Sequence, residues 1–196
     1  MHKLTISSVV FTTILSLSTT YGLTISVYTD KALWQNSLAA PFLTEDFADS
    51  ELNSGVSFDS SESGHINPAE EYYQDVLTSQ SENQPTTIWN FNPGIFAYGG
   101  NWTLGGPGGS GNALLVYLAD SAFYVGSISN SYSGEFWGFI SDVPFTSVQL
   151  IGSTGLHQQN YRLDDMVYAQ IPDPATMSLL AIGGMIMISR RKKHSR

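Results

Sequence analysis

The stretch that decides the fold is IFAYGGNWTL, from Ile95 to Leu104. It combines aromatic and β-branched residues, which favour strands, with glycines and an asparagine that interrupt helices. Similar short runs lie on both sides of it, separated by Gly, Asn, Ser and Pro. They are LTISVYT, FLTEDFA, TTIWNF, NALLVYLA, AFYVGSI, GEFWGFI, FTSVQLIG and YRLDDMVYA. The pattern predicts eight or nine strands along the chain.

Eight or nine strands with little helix indicate an all-β fold, a β-sandwich for which a jelly roll is the favoured arrangement. An immunoglobulin-type sandwich is the alternative. One helix is predicted in TDKALWQNSLAA, with Thr29 or Asp30 as its N-cap, Trp34 on its apolar side and Pro41 as its stop. The polar, acidic segment from Asp49 to Gln84 is predicted to be a long loop or an irregular excursion.

The charge of the chain limits the kinds of molecule that it can bind. The formal net charge is −9, and the part from Leu23 to Ile171 contains only two basic residues, Lys31 and Arg162. Nucleic acid is excluded as a partner, because phosphate binding needs Lys and Arg to replace counterions. Cations and neutral polymers such as polysaccharides remain as candidate partners. The chain contains no Cys, so packing must hold the fold together.

The N-terminal residues 1–22 have the pattern of a secretory signal peptide. Lys3 provides a short positive start, an apolar stretch follows from Ile6 to Leu17, and small residues end it at Thr20 and Gly22. The alternative is a first buried strand. The sequence therefore predicts an exported protein whose folded domain spans residues 23–171.

The C-terminus has three elements in order. Pro172-Asp173-Pro174 ends the folded domain, residues 175–189 carry no charge, and a basic cluster closes the chain. The cluster is Arg190, Arg191, Lys192 and Lys193, within a basic tail of residues 190–196. A basic cluster behind an apolar segment stays in the cytoplasm. The order predicts a precursor anchored in the inner membrane by a transmembrane helix at residues 175–189.

This tail resembles the PEP-CTERM sorting signal of exopolysaccharide-producing Gram-negative bacteria. That signal consists of Pro-Glu-Pro, a short hydrophobic helix and an Arg-rich end, and here Asp173 replaces the Glu. The resemblance implies that exosortase, a membrane protease, removes the anchor of residues 172–196. It also implies delivery to the cell surface or the extracellular matrix. The alternative is an ordinary single-span tail anchor.

The folded domain also resembles a recurring type of PEP-CTERM passenger domain. The residues that carry this likeness are TEDF, AYGGNWTLGGPGGSGNALLVYL, GFISDVPFTSVQL and YRLDDMVYA. Because no activity is established for that family, the resemblance implies a fold and a location and does not imply a reaction.

Two acidic pairs are candidate metal ligands. Glu45-Asp46 and Asp164-Asp165 resemble the strand ends of MAM-like and carbohydrate-binding jelly rolls, some of which hold a structural Ca²⁺ there. Calcium takes six to eight oxygen ligands, and carboxylates suit it. Successive strand residues point to opposite faces, so only one acid of each pair is expected to point inward. The alternative is that these carboxylates cap loops and stay solvated.

Trp102 and Trp137 are candidate sugar-binding residues. In GEFWGFI, Phe136 and Trp137 are expected on opposite faces of a strand, so that one of them is exposed. Most aromatic residues of a sandwich belong to its core, which is the competing interpretation.

The sequence favours a non-catalytic function. No nucleophile motif is present, and His65 and His157 have no metal-ligand spacing. The main hypothesis is an exported surface or matrix protein that binds exopolysaccharide. A secreted polysaccharide hydrolase using paired carboxylates is the alternative from another class. A structural surface protein without a ligand is the third.

Overall fold

The computed structural model describes residues 23–38, 40–77, 85–105, 113–152 and 159–170. The predicted signal peptide of residues 1–22, the sorting segment of residues 172–196 and His157 lie outside these ranges. No helix within the described ranges is long and apolar enough to cross a bilayer.

The described chain forms ten strands and one short helix. The helix, α1, is Lys31–Ser37. The strands are β1 (Ile25–Tyr28), β2 (Leu43–Glu45), β3 (Val56–Ser60), β4 (His65–Asn67), β5 (Tyr72–Leu77), β6 (Thr86–Leu104), β7 (Ala113–Leu118), β8 (Phe123–Ser129), β9 (Ser133–Gly152) and β10 (Gln159–Gln170).

The strands form one continuous antiparallel sheet in the order β4-β5-β10-β6-β9-β7-β8. β6 and β9 are long and pass through both layers. The first part of β6, up to Phe91, pairs with β3 and with the end of β9, whereas the part from Ala97 onward pairs with β10 and with the start of β9. Their register shifts between Asn90 and Ile95, around Pro93, which cannot donate a ladder hydrogen bond. The sheet thereby folds back on itself.

We call the two halves the front layer and the back layer. The front layer contains β4, β5, β10, the second half of β6, the first half of β9 and β1, which pairs with β9. The back layer contains β3, the first half of β6, the second half of β9, β7 and β8. The predicted all-β sandwich is therefore confirmed.

Aromatic side chains from both layers fill the space between them. Trp89 of the back layer packs edge-on against Tyr73 of the front layer, with ring centroids 4.8 Å apart. Trp102 is fully buried, and its indole N–H donates to the carbonyl of Trp137 over 3.0 Å. Such rings contribute large apolar areas, so they supply much of the stability that disulfides cannot provide here.

Helix α1 covers part of the outer surface of the front layer. Asp30 caps it by accepting a hydrogen bond from the Leu33 N–H at 2.9 Å. Trp34 is fully buried, donates to the Phe139 carbonyl over 3.1 Å and packs on Phe136 at a centroid distance of 5.8 Å. The predicted helix, its Asp30 cap and its buried Trp34 are confirmed. The helix ends at Ser37, before the predicted stop at Pro41.

A pair of opposed glycines makes room for this outer packing. Gly99 of β6 lies opposite Gly138 of β9. A Cβ on Gly99 would come within 2.8 Å of the Phe136 ring and 2.9 Å of the Gly138 Cα. The ring of Phe136 can therefore lie flat on the sheet, where Trp34 covers it.

The prediction of a long loop or irregular excursion from Asp49 to Gln84 was wrong in part, because β3, β4 and β5 lie within this segment. β3 alternates between the half-buried Val56 and Phe58 and the exposed Ser57 and Asp59. In a segment this rich in acids and serines, the period-two pattern involves too few apolar residues to stand out.

The turn between β7 and β8 is fixed to β9 by Asp120. Its carboxylate accepts hydrogen bonds from the Ser147 hydroxyl at 2.6 Å and from the Thr146 N–H and hydroxyl, each at 2.8 Å. Partial burial opposes ionisation of Asp120, but the bonds from Ser147 and Thr146 outweigh it and lower its pKa. The ionised form is therefore the one that the folded state favours.

Replacing Asp120 with asparagine is expected to lower the melting temperature by roughly 2–4 °C at pH 7. A carboxyl whose folded-state pKa is lowered stabilises the fold above its unfolded pKa of about 3.9, and that stabilisation is lost as pH falls through the folded value. The difference between wild type and Asp120→Asn should thus shrink below about pH 4. Thermal melts of both proteins from pH 3 to pH 7 measure it, and a difference independent of pH would contradict the assignment.

Candidate functional site

The outer surface of the front layer continues beyond α1 into a part that no described element covers. We call this part the open face, formed by Gln74, Val76, Thr103, Asn160 and Arg162. These side chains point outward because side chains alternate along a strand. On β10, Tyr161 and Leu163 lie in the core, whereas Arg162 between them is exposed.

Three polar side chains of the open face lie in a row, which His65 extends to a fourth neighbouring strand. His65 of β4 lies opposite Gln74 of β5, Gln74 opposite Arg162 of β10, and Arg162 opposite Thr103 of β6. With strands about 4.8 Å apart, the row extends over roughly 14 Å. An extended polymer lying across the strands can meet each of these groups in turn.

Arg162 is held in place by an aromatic ring. Its guanidinium carbon lies 4.5 Å from the centroid of Tyr72. The Tyr72 hydroxyl donates to Glu70 over 2.7 Å and accepts from the Asn67 amide over 3.2 Å, which fixes the ring. The contact is a cation–π interaction, which does not use up the five N–H donors of the guanidinium. Within the described ranges the one ion pair joins Lys31 and Asp165, so Arg162 forms none there.

Gln74 is held from the other side by His65. The Nε2 atoms of Gln74 and His65 lie 2.9 Å apart, and His65 Nδ1 lies 2.8 Å from the Ser63 carbonyl. This network assigns the tautomer in which Nδ1 donates to Ser63 and Nε2 accepts from Gln74. Two of the row's side chains, Gln74 and Arg162, are therefore oriented before any ligand arrives.

A groove of about 290 Å³ lies on the open face. Gln74, Val76, Thr103, Asn160 and Arg162 contribute to its lining. Its volume is at the lower end of the range for small-molecule sites, about 300–1,000 Å³. The Asn160 Oδ1 atom is buried and has no hydrogen-bond partner within the described part of the chain.

A buried polar network supports the groove from inside. Asp75, 1% exposed, accepts hydrogen bonds from Thr87 at 2.6 Å and from Tyr73 at 3.1 Å, and Tyr161 donates to Thr87 over 2.7 Å. Burial, followed by the charge of Asp75, raises the pKa of Tyr73 well above its usual range. Tyr73 therefore stays a hydroxyl donor at all ordinary pH values. The network fixes β5 against β10 and β6.

The two acidic pairs predicted as calcium ligands lie on adjacent strands. β2 pairs with β10, and Glu45 lies opposite Met166. An early strand and the last strand of the domain therefore lie side by side. Glu45 is buried, whereas Asp46 is exposed, as the alternation predicts.

The carboxylates of these pairs have protein partners. Glu45 accepts from the backbone N–H groups of Phe47 at 3.1 Å and Asn53 at 2.6 Å, and Asp46 accepts from that of Ala48 at 3.1 Å. Asp165 is bound by Lys31 at 3.1 Å.

Asp164 is exposed on β10. Desolvation, followed by the charge of Asp165, raises its pKa. No group of three or more His, Asp and Glu in the described ranges is arranged to hold a metal. Calcium binding at Glu45, Asp46, Asp164 and Asp165 stays a prediction that this geometry does not strengthen.

The expectation of an exposed aromatic at Trp102 or Trp137 was wrong. Their exposed fractions are 0% and 2%. Phe136, on the opposite side of β9 from Trp137, is also buried, because α1 covers it. A strand covered on both sides hides both sets of side chains, so neither Trp102 nor Trp137 is free to stack on a sugar.

Sequence reasoning missed the open face. Its residues come from three segments far apart in the chain, and one of them, β5, was assigned to a loop. The one usable signal was Arg162, which is one of two basic residues in the folded domain.

A comparison with protein-family models finds no match, and neither does a comparison with curated proteins. Solved structures with a similar arrangement include a carbohydrate-binding module of family 29, with a TM-score of 0.49 and 14% identity over 71% of this chain and 98% of that chain. A family 29 module from Piromyces equi has a TM-score of 0.48 and 15% identity, covering 68% of this chain and 93% of its own. At this distance the likeness carries no functional inference.

Proposed function

We propose that this protein is an exported, non-catalytic component of the cell surface or extracellular matrix that binds polysaccharide through the open face. The observation that carries the proposal is the row of Gln74, Arg162 and Thr103 across the groove. These side chains offer donors and acceptors together, as a polyhydroxylated ligand requires.

The charge of the protein supports a neutral polymer as the ligand. Residues 23–171 contain sixteen acidic residues and two basic ones, an excess of negative charge that disfavours polyanions. The groove itself presents amide, hydroxyl and guanidinium groups, which bond to sugar hydroxyls without any charge on the sugar. Exopolysaccharide of the producing cell is the candidate that the sorting signal at Pro172-Asp173-Pro174 suggests.

The lining of the groove supports binding over hydrolysis. Glycoside hydrolysis uses two carboxyl groups about 5–9.5 Å apart on either side of the scissile bond. Asp75 is the acidic residue of the described groove lining, and its oxygens accept from Thr87 and Tyr73 on the core side. An acid held in this way is not placed to protonate a leaving group.

The location is proposed from the sequence. Export through residues 1–22, anchoring by residues 175–189 and cleavage by exosortase near Pro172 would deliver the domain outside the inner membrane. Mass spectrometry of the mature protein from cells with and without exosortase tests this step. The proposal predicts loss of residues 172–196 only when exosortase is present, and an unprocessed tail in both strains would contradict it.

Replacing Arg162 with alanine is expected to weaken binding to the host's exopolysaccharide by about tenfold or more, because a charged donor to a ligand is lost. Lys31→Ala is the matched control. It also removes one positive charge, but from a side chain that pairs with Asp165 and is not part of the open face. Affinity electrophoresis in gels containing the polysaccharide measures both, with an assay for released reducing sugar on the same samples. Equal effects of the two substitutions, or release of sugar by the wild type, would contradict the proposal.

A further inference from the structure

The outer surface of the back layer carries a second row of side chains, opposite to the open face. Tyr124 of β8 lies opposite Tyr117 of β7, Tyr117 opposite Gln149 of β9, and Gln149 opposite Ile88 of β6. None of the four is fully buried, and Tyr124 is 50% exposed. We call these four residues the tyrosine face.

The two tyrosines form a firm aromatic surface. Their ring centroids are 5.3 Å apart, and their planes are inclined by 57°. The turn that joins their two strands is held on β9 by the hydrogen bonds of Asp120, so the rings have little freedom to lose when a ligand binds.

The chemistry of the tyrosine face fits a neutral sugar chain. Its four residues are uncharged in a strongly acidic domain, and the nearest acid in the row is Asp59 beyond Ile88. Aromatic rings take the apolar faces of sugar rings, while the tyrosine hydroxyls and the Gln149 amide bond to sugar hydroxyls. A second copy of this domain would bring the same excess of acidic residues, sixteen against two basic ones, and offer no complementary charge.

We infer that the tyrosine face is a second polysaccharide-binding surface, and that one protein thereby joins two polymer chains. The inference rests on the proposed function of the open face. The two faces lie on opposite outer sides of a sandwich whose layers are about 10 Å apart. A straight polymer chain on one face therefore cannot contact the other, so simultaneous binding requires two chains.

A two-step capture experiment tests the inference with the mature protein. Protein is first retained on beads carrying the host's exopolysaccharide, and fluorescent soluble exopolysaccharide is then added. Wild type is expected to capture the soluble polymer. The double variant Tyr117→Ala/Tyr124→Ala is expected to keep bead retention within about threefold and to lose capture by about tenfold or more. Tyr117→Phe/Tyr124→Phe keeps the rings and should still capture.

The outcomes separate the two claims. Absence of wild-type retention on the beads would overturn the proposed function, and the inference with it. Retention with equal capture by wild type and the alanine pair would overturn the inference alone. Light scattering measures the oligomeric state of both proteins. If the wild type is a dimer and the Tyr117→Ala/Tyr124→Ala variant is a monomer, the tyrosine face binds a second copy of the protein. That result would also overturn the inference. Melting temperatures of all variants confirm that each is folded.

Discussion

Replacing Trp102 with alanine is expected to lower the free energy of unfolding by about 3–5 kcal/mol. The side chain is fully buried between the layers, with its ring 5.9 Å from that of Tyr161. Its indole donates to the Trp137 carbonyl, and that acceptor would lose its partner in the variant. Urea unfolding followed by far-ultraviolet circular dichroism measures the change.

A loss this large can leave too little stability for folding, so Trp102→Phe provides the second test. Phenylalanine keeps most of the packing and removes the N–H donor, and we expect a smaller loss with unchanged polysaccharide binding. The sequence had suggested Trp102 as a sugar-binding residue, and that role makes the opposite prediction of normal stability and reduced binding. That result would contradict the structural assignment.

Replacing Asp75 with alanine is expected to lower the free energy of unfolding by about 3–5 kcal/mol, because several buried neutral donors lose their acceptor. Thr87 and Tyr73 would lose their shared acceptor, and the Val76 N–H would lose its acceptor at 2.8 Å. Each buried donor left without a partner costs about 1–3 kcal/mol. The loss should appear as a lower urea midpoint in equilibrium unfolding.

Asp75→Asn is the matched control for this prediction. Asparagine has nearly the same shape and keeps one carbonyl oxygen that can accept from Thr87, so it should be less destabilising than alanine. Because the network supports β5 beneath the groove, we also expect Asp75→Asn to weaken polysaccharide binding less than Arg162→Ala. If alanine and asparagine were equally well tolerated, the network would not contribute to stability.

Local sequence patterns were sufficient for the strands with a strong apolar component. IFAYGGNWTL lies within β6 and YRLDDMVYA lies within β10. The helix at Lys31–Ser37 was also predictable, because its Asp30 cap and Trp34 are close together in the chain. These elements depend on neighbouring residues, which a sequence displays directly.

The remaining features depend on contacts between distant segments. Two pairs of predicted strands are in fact continuous, β6 and β9, because the sheet bends through the positions where Pro93 and Pro144 suggested breaks. The burial of Phe136 and Trp137 together follows from α1, which covers the second side of the sheet. The alternation of side chains along a strand does not indicate whether another element covers the outer side of the sheet.

The candidate site was the least predictable part. The open face combines β5, the end of β6 and the start of β10, whose register brings Gln74, Arg162 and Thr103 into one row. No motif spans such a row, because its members are about 30 to 90 residues apart in the sequence. Sequence reasoning therefore selected tryptophans, which the fold uses for packing, and overlooked the polar groups.

The measurement that tests the central claim most directly is a nuclear magnetic resonance titration that maps which backbone amide chemical shifts change when a ligand is added. The domain would be titrated with soluble oligosaccharides from the host's exopolysaccharide until the shifts saturate. We predict the largest changes at Gln74, Thr103, Asn160 and Arg162, and the second binding surface predicts further changes at Tyr117 and Tyr124. Saturating ligand that leaves the open face unchanged, with or without shifts elsewhere, would contradict the account.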